Sequence, residues 1–136
     1  MTKYAAFGTV IKRGATAIAQ VSSISGPGIS LDTEDVTSHD STGGWEEVVG
    51  TILRSGEVSL EILYDPANAT HKNAAAGLLG DLIARAATAF SLVFPDTANT
   101  TWSFSALVTG FEPGMPHAGK LTAAVKMKLT GQPTLV

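Results

Sequence analysis

The chain has no cysteine, which excludes disulfide frameworks, thiolate zinc sites and cysteine nucleophiles together. Charge is scarce as well: Asp, Glu, Lys and Arg make up 15% of the residues, against about 25% in an average soluble domain. Because 44% of the residues are apolar, a disordered chain is excluded, and some of the surface is expected to be covered by something else. The formal net charge is −3, whereas a nucleic-acid-binding surface is basic. No window approaches the ~20 apolar residues of a membrane span, so no membrane partner is expected. Met1-Thr2-Lys3-Tyr4 opens no apolar run of signal-peptide length, so synthesis and folding in a cytoplasm is expected. The 136 residues are one domain's worth of chain, 1–136, large enough to bury a single core without cross-links.

What charge there is lies unevenly. Between Gly14 and Thr70 stand nine acids and one base, Arg54, while Lys3, Lys12 and Arg13 precede them and Lys120, Lys126 and Lys128 follow. Such separation suits head-to-tail contacts between copies of one chain.

Two-residue alternation dominates the apolar pattern. Leu121, Ala123, Val125, Met127 and Leu129 alternate with Lys120, Thr122, Ala124, Lys126, Lys128 and Thr130, as in a half-buried strand. Ser55–Tyr64 sets Val58, Leu60, Ile62 and Tyr64 against Glu57, Ser59 and Glu61, and 100–111 alternates Trp102, Phe104, Ala106 and Val108 with hydroxyl residues. Shorter strands are expected at 7–13, 16–24 and 89–94. Only 70–87 keeps helical spacing, through Ala74, Ala75, Leu78, Leu79, Leu82, Ile83 and Ala86. Asn68 or Thr70 is its expected N-cap, and Asp81 with Arg85 an expected i,i+4 pair. Gly77 and Gly80 are read as close-packing positions against a sheet. The fold class is mainly β with one α-helix, a sandwich or barrel.

Residues 26–54 stand apart: 29 positions with Pro27, five glycines, a string of acids and no convincing long strand. Irregular loops of that length are usually functional or disordered. Trp45 sits within it between Gly43-Gly44 and Glu46-Glu47. Two readings stand: an interface anchor, or a lid that folds back to cap the chain's own core.

No catalytic constellation survives inspection. Gly114–Lys120 fits the first seven positions of a phosphate-binding loop, but Leu121 replaces the magnesium-holding hydroxyl and a strand pattern follows where a helix is required. Ser38-His39-Asp40 are adjacent, and three neighbours cannot converge as nucleophile, base and orienting acid. Asp32, Glu34, Asp35, His39 and Asp40 lack the spacing and central glycine of a calcium loop. Glu57 and Glu61 would stand about 13–14 Å apart on one strand face at ~3.4 Å per residue, too far for paired glycosidase carboxylates. His71 and His117 are isolated, so capping or surface roles are expected of them. No enzyme activity, cofactor or metal is expected.

The runs Ile24–Asp32, Asp35–Ser41 and Gly43–Glu47, followed by Ser55-Gly56-Glu57-Val58-Ser59-Leu60-Glu61-Ile62-Leu63-Tyr64-Asp65-Pro66 and His71, resemble the major tail tube proteins of long-tailed, non-contractile bacteriophages. The likeness runs from about Gly8 to the C-terminus at Val136, and no appended immunoglobulin-like domain, which some relatives carry, is expected. The resemblance implies a β-sandwich or barrel-like tube fold similar to the type VI secretion tube protein. It implies hexameric rings whose strands join into one barrel, stacked around a tape-measure protein, with tail tip and tail terminator proteins at the ends. DNA would pass through the lumen without specific binding, and the chain would be a virion component assembled in the host cytoplasm. Residues 26–54 would be the loop that reaches a neighbouring ring and orders on polymerisation, with Asp32, Glu34, Asp35, His39, Asp40, Trp45, Glu46, Glu47 and Arg54 as its contact residues. A tail terminator, a connector ring or a secretion-tube subunit is the alternative.

The residues alone point the same way. A strand-rich chain with open edges is prone to edge pairing, ring closure removes those edges, and a heterologous axial face builds a filament. In the tube that the resemblance implies, Glu57, Glu61, Lys126 and Lys128, on polar strand faces, are the candidate lumen-facing charges. A conduit that must not hold DNA is expected to carry more acid than base.

Overall fold

The chain's structure, a computed structural model, describes residues 2–135; Met1 and Val136, the ends of the expected 1–136 domain, lie outside the described residues. The alternating runs become β-strands: β1 Val10–Arg13, β2 Thr16–Ala17, β3 Val21–Ser25, β4 Ser30–Asp35, β5 Val48–Arg54, β6 Glu57–Leu63, β7 Thr88–Val93, β8 Thr101–Gly114 and β9 Thr122–Leu135, with one helix, α1 Leu78–Ala84. Seven strands form one antiparallel sheet in the order β2-β1-β7-β8-β9-β6-β3. The long β8–β9 pair is its spine, with register shifts at Ser103/Ser105 and Val108/Gly110 that raise the local twist.

The inward residues of these strands, among them Ile11, Val58, Ile62, Phe90, Ala106, Val125 and Met127, form one buried cluster closed by Leu78 of α1. Among the described residues no second large sheet covers them, so the sheet curls over its own face, and the result is a half-barrel. The expected mainly-β barrel-like class holds. Within the expected 16–24 strand the chain breaks at Gln20, whose φ is 57°, and two short strands replace one.

The helix is shorter than its pattern predicts, and its start is not Asn68 or Thr70. Asn68 Oδ1 accepts hydrogen bonds from the Thr70 amide at 2.9 Å and hydroxyl at 2.6 Å, which closes a local turn instead. The chain then folds back over the helix entry, where Gly77 is extended (φ −98°, ψ 153°). A Cβ on Gly77 would lie 1.8 Å from the Lys72 carbonyl oxygen, and one on Gly80 2.0 Å from that of Ala74. These glycines therefore admit the preceding turn rather than a sheet. Asp81 does not pair with Arg85. It takes a two-pronged contact from Arg13 of β1, Nε to Oδ2 at 2.7 Å and Nη2 to Oδ1 at 2.8 Å, and a forked guanidinium–carboxylate contact outweighs an exposed i,i+4 pair.

His71 also departs from its expected surface or capping role: it is fully buried. Nε2–H donates to the Ala19 carbonyl at 2.7 Å, and Nδ1 accepts the Asp65 amide at 3.2 Å. One ring thereby ties the turn before β3 to the end of β6. Replacing it in H71L keeps bulk but leaves a half-buried carbonyl and amide without their ring partner, each worth about 1–3 kcal/mol. The expected outcome is a loss of about 2–4 kcal/mol, seen as a lower urea midpoint at unchanged slope.

Candidate functional site

The segment expected to be an irregular loop is a β-hairpin. Its Val48-Val49 and Thr51-Ile52-Leu53 residues are β-formers, and they pair with Ser30–Asp35 in a separate two-stranded sheet, Leu31 opposite Leu53 and Asp35 opposite Val48. Acids and glycines hide this in the sequence, because β4 alternates poorly and the register shifts between Leu31 and Thr33, where Thr51 and Ile52 of β5 lie across from Asp32 alone. At the base, two close approaches clamp the hairpin to the body. A Cβ on Gly26 would lie 2.2 Å from the Glu57 carbonyl oxygen, and one on Gly56 2.4 Å from that of Gly28. Both glycines have positive φ, 92° and 68°, so side chains are excluded there on two counts.

The structure distributes the predicted contact residues along this arm. Asp32, Glu34 and Asp35 lie on β4, Arg54 ends β5, and His39, Asp40, Trp45, Glu46 and Glu47 occupy the connection between the strands. Arg54 Nη2 meets Asp32 Oδ2 at 2.8 Å across the hairpin. The Thr37 hydroxyl and amide hold the Asp35 carboxylate below its ordinary pKa, the amide bond being 2.8 Å. The Glu47 amide donates to Thr37 Oγ1 at 2.8 Å, closing the connection. Ser38-His39-Asp40 lies in the same turn, where the Ser38 amide donates to Ser41 Oγ at 3.0 Å.

None of this arm rests on the body's core. Trp45 is 78% exposed and Leu53 74%, and Ile29, Leu31, Val36, Val48, Val49 and Ile52 are exposed as well. The core-capping reading of Trp45 is therefore overturned: its ring lies over Gly43 of its own connection, 3.1 Å from where a Cβ there would be. Two-stranded hairpins are marginal in water unless a third element covers one face, and clustered exposed apolar side chains mark contact surfaces. The apolar residues of β5 are the part of the site that charge alone does not reveal; their β-branched run is the signal that finds them.

The outward face of the seven-stranded sheet is a second surface. Glu57, Glu61, Lys126 and Lys128 all point to it and are exposed. Glu57 stands opposite Lys128 and Ser59 opposite Lys126. The register adds two charges that the sequence pattern does not single out, Glu112 of β8, opposite Ala124, and Lys12 of β1, opposite Ser91. The Gly114–Lys120 run joins β8 to β9 with no helix after it.

The sheet's outer strands are β2 and β3. Beside β3 lies a cleft of about 980 Å3, lined by Tyr4–Thr9, Val21, Ile24, Leu92, Phe94 and Trp102 among others. Phe7 there is 94% exposed. Open strand edges beside an apolar cleft can accept a neighbouring chain.

A family model described as "Lambda phage tail tube protein, TTP" matches residues 4–136. Nothing matches among curated proteins. Among solved structures, a chain from the virion of a native gene transfer agent particle is 19% identical, with 98% of this chain and 99% of that chain covered and a TM-score of 0.76. A chain from the tail of an empty gene transfer agent particle, refined with C6 symmetry, is 21% identical over 93% and 94%, with a TM-score of 0.69. A chain from the sheath/tube terminator of an extracellular contractile injection system is 16% identical over 100% and 98%, with a TM-score of 0.75. At these identities the likeness is one of fold.

Proposed function

The chain belongs to the lambda phage tail tube protein family, and from that premise we propose that copies of it assemble as stacked hexameric rings into the tube of a phage tail. It is a structural component of the virion tail and not an enzyme. Residues 1–136 act as a single tube domain. The observation that carries the reading is the β4–β5 hairpin, whose apolar residues and Trp45 are exposed in the lone chain. The sixfold symmetry of the gene transfer agent tail supports a ring of six.

Charge favours the stacking direction. Residues 26–54 hold six acids and one base, a net of −5, and the remainder of the chain, at a total of −3, therefore carries +2. An acidic arm is drawn to the basic body of the next copy, and a heterologous contact of that kind propagates along an axis. Asp32, Glu34, Asp35, His39, Asp40, Glu46, Glu47 and Arg54 surround the Trp45 anchor in this contact. The outward sheet face, with Glu57, Glu61, Lys126 and Lys128, lines the lumen. Tape-measure, tail tip and tail terminator proteins are the partners at the axis and ends, DNA passes through, and assembly takes place in the host cytoplasm.

Negative-stain microscopy of concentrated purified protein tests the reading: long hollow cylinders are expected. Single rings that never lengthen would favour the terminator alternative instead. Trp45→Ala is expected to leave the monomer's melting temperature unchanged, because the ring touches no core residue. Loss of a buried aromatic anchor costs about 2 kcal/mol or more, so the concentration needed for tubes should rise at least ~30-fold, measured by pelleting.

A further inference from the structure

We infer that the glutamates of the outward sheet face are fixed counter-charges that stop its lysines from gripping DNA; this rests on the lumen placement proposed above. On the strands of the large sheet, among the described residues, that face carries three acids, Glu57, Glu61 and Glu112, and three bases, Lys12, Lys126 and Lys128. The expected excess of acid is absent, and the arrangement explains why none is needed. Glu57 is directly opposite Lys128, a position where Cβ atoms stand about 4.5–5.5 Å apart. Lys126 is opposite Ser59, so Glu57 and Glu61 flank it diagonally on β6, and Glu112 flanks it diagonally from β8.

The rest of the face is made for passage. Ser23, Ser91, Ser103, Ser105 and Thr130 present hydroxyls, which hydrogen-bond water and carry no charge. The aromatic residues of these strands, Phe90, Trp102, Phe104 and Phe111, take the opposite, inward parity. A base-stacking platform, the usual means of holding single strands, is therefore missing from the outward positions. A duplex meeting this wall finds a carboxylate opposite or diagonal to each central lysine, which offsets the attraction that counterion release would otherwise drive. A uniformly acidic wall would instead repel the duplex at every ring.

Tubes assembled from the parent chain and from E57Q/E61Q/E112Q test this by co-sedimentation with a short fluorescent duplex at 50 and 200 mM salt. The parent tubes should retain almost none. The triple variant should retain at least ~10-fold more at 50 mM and lose it at 200 mM, since phosphate–lysine contacts weaken steeply with salt. Equal retention by the two tubes, or salt-sensitive retention by the parent, would overturn the inference. Should the triple variant not assemble, E61Q alone is expected to raise retention about threefold, and no rise would overturn it equally. Because the chain lacks cysteine, S59C provides a separate check of the lumen placement. In closed-wall tubes it should react with a small maleimide along its length but with a 5-kDa one only near the ends. Full reaction with both would sink the placement, whatever the DNA result.

Discussion

A chain in which a three-residue Gly-Ser-Gly bridge replaces residues 30–54 is expected to stay a folded monomer at every concentration where the parent forms tubes. Among the described residues the hairpin pairs only with itself, and neither the buried hydrophobic cluster nor the partly buried residues packed against it include a residue of 30–54. The two ends to be joined are already adjacent, since Gly56 packs against the carbonyl of Gly28, so a short bridge closes without pulling on the sheet. Its shorter loop costs less closure entropy than the original. The melting temperature should therefore move by only a few degrees, while the assembly threshold rises more than ~100-fold, equivalent to about 2.7 kcal/mol of lost contact. Sedimentation velocity reads the first outcome and microscopy the second. A variant that unfolds would show that the arm supports the body; one that still forms tubes would remove the arm from assembly.

The second large effect concerns the body alone. Asp81→Ala should destabilise the monomer by about 2–3 kcal/mol. Breaking a buried ion pair costs about 3–5 kcal/mol, and the figure here is lower because the Arg13 side chain keeps 24% of its exposure while Asp81 keeps 6%. The loss spreads, because Arg13 also donates to the Ala75 carbonyl at 2.9 Å, so the same guanidinium holds both α1 and the turn before it against β1. The hydrogen bond to Asp81 raises the Arg13 pKa. A raised pKa gives stability that is complete below the unfolded value and fades only as pH climbs through the folded one. For an arginine that window lies far above neutrality, so Arg13 itself adds no pH dependence between about pH 5 and 9. Urea titration of D81A against R13M/D81L separates the two terms. The double variant, with no stranded charge, should recover most of the loss. A D81A variant within 0.5 kcal/mol of the parent would contradict this account.

Much of the sheet is legible in the sequence because burial on one face writes itself into the chain at period two. Val58, Leu60 and Ile62 and then Ala123, Val125 and Met127 declare their common face by spacing alone, and they do pair across β6 and β9. The helix is half legible. Its apolar spacing is real, but the Asn68–Thr70 turn and the fold-back admitted by Gly77 and Gly80 take its first turns away, and these are decided by contacts that spacing does not encode. His71 looks isolated in the sequence for the same reason: its partners, Ala19 and Asp65, offer backbone atoms, and a backbone partner leaves no mark on composition.

Of the candidate site, the acids and Trp45 are visible as residue types, and their exposure on a projecting arm is not. The hairpin strands hide because both their faces are exposed in the lone chain, so there is no inside to impose alternation. What looks like a weak strand signal is the signature of a strand awaiting its cover. Lys12 and Glu112 escape a reading by spacing because only the sheet register, bulge included, brings them to the face that holds Glu57 and Lys126.

Helical reconstruction of assembled tubes by electron microscopy addresses the central claim most directly. The account predicts residues 30–54 of each copy lying across another copy, with Trp45 shielded from solvent and Ser59 facing the lumen. An arm folded onto its own sheet, or standing free in solvent between subunits that touch only elsewhere, would contradict it.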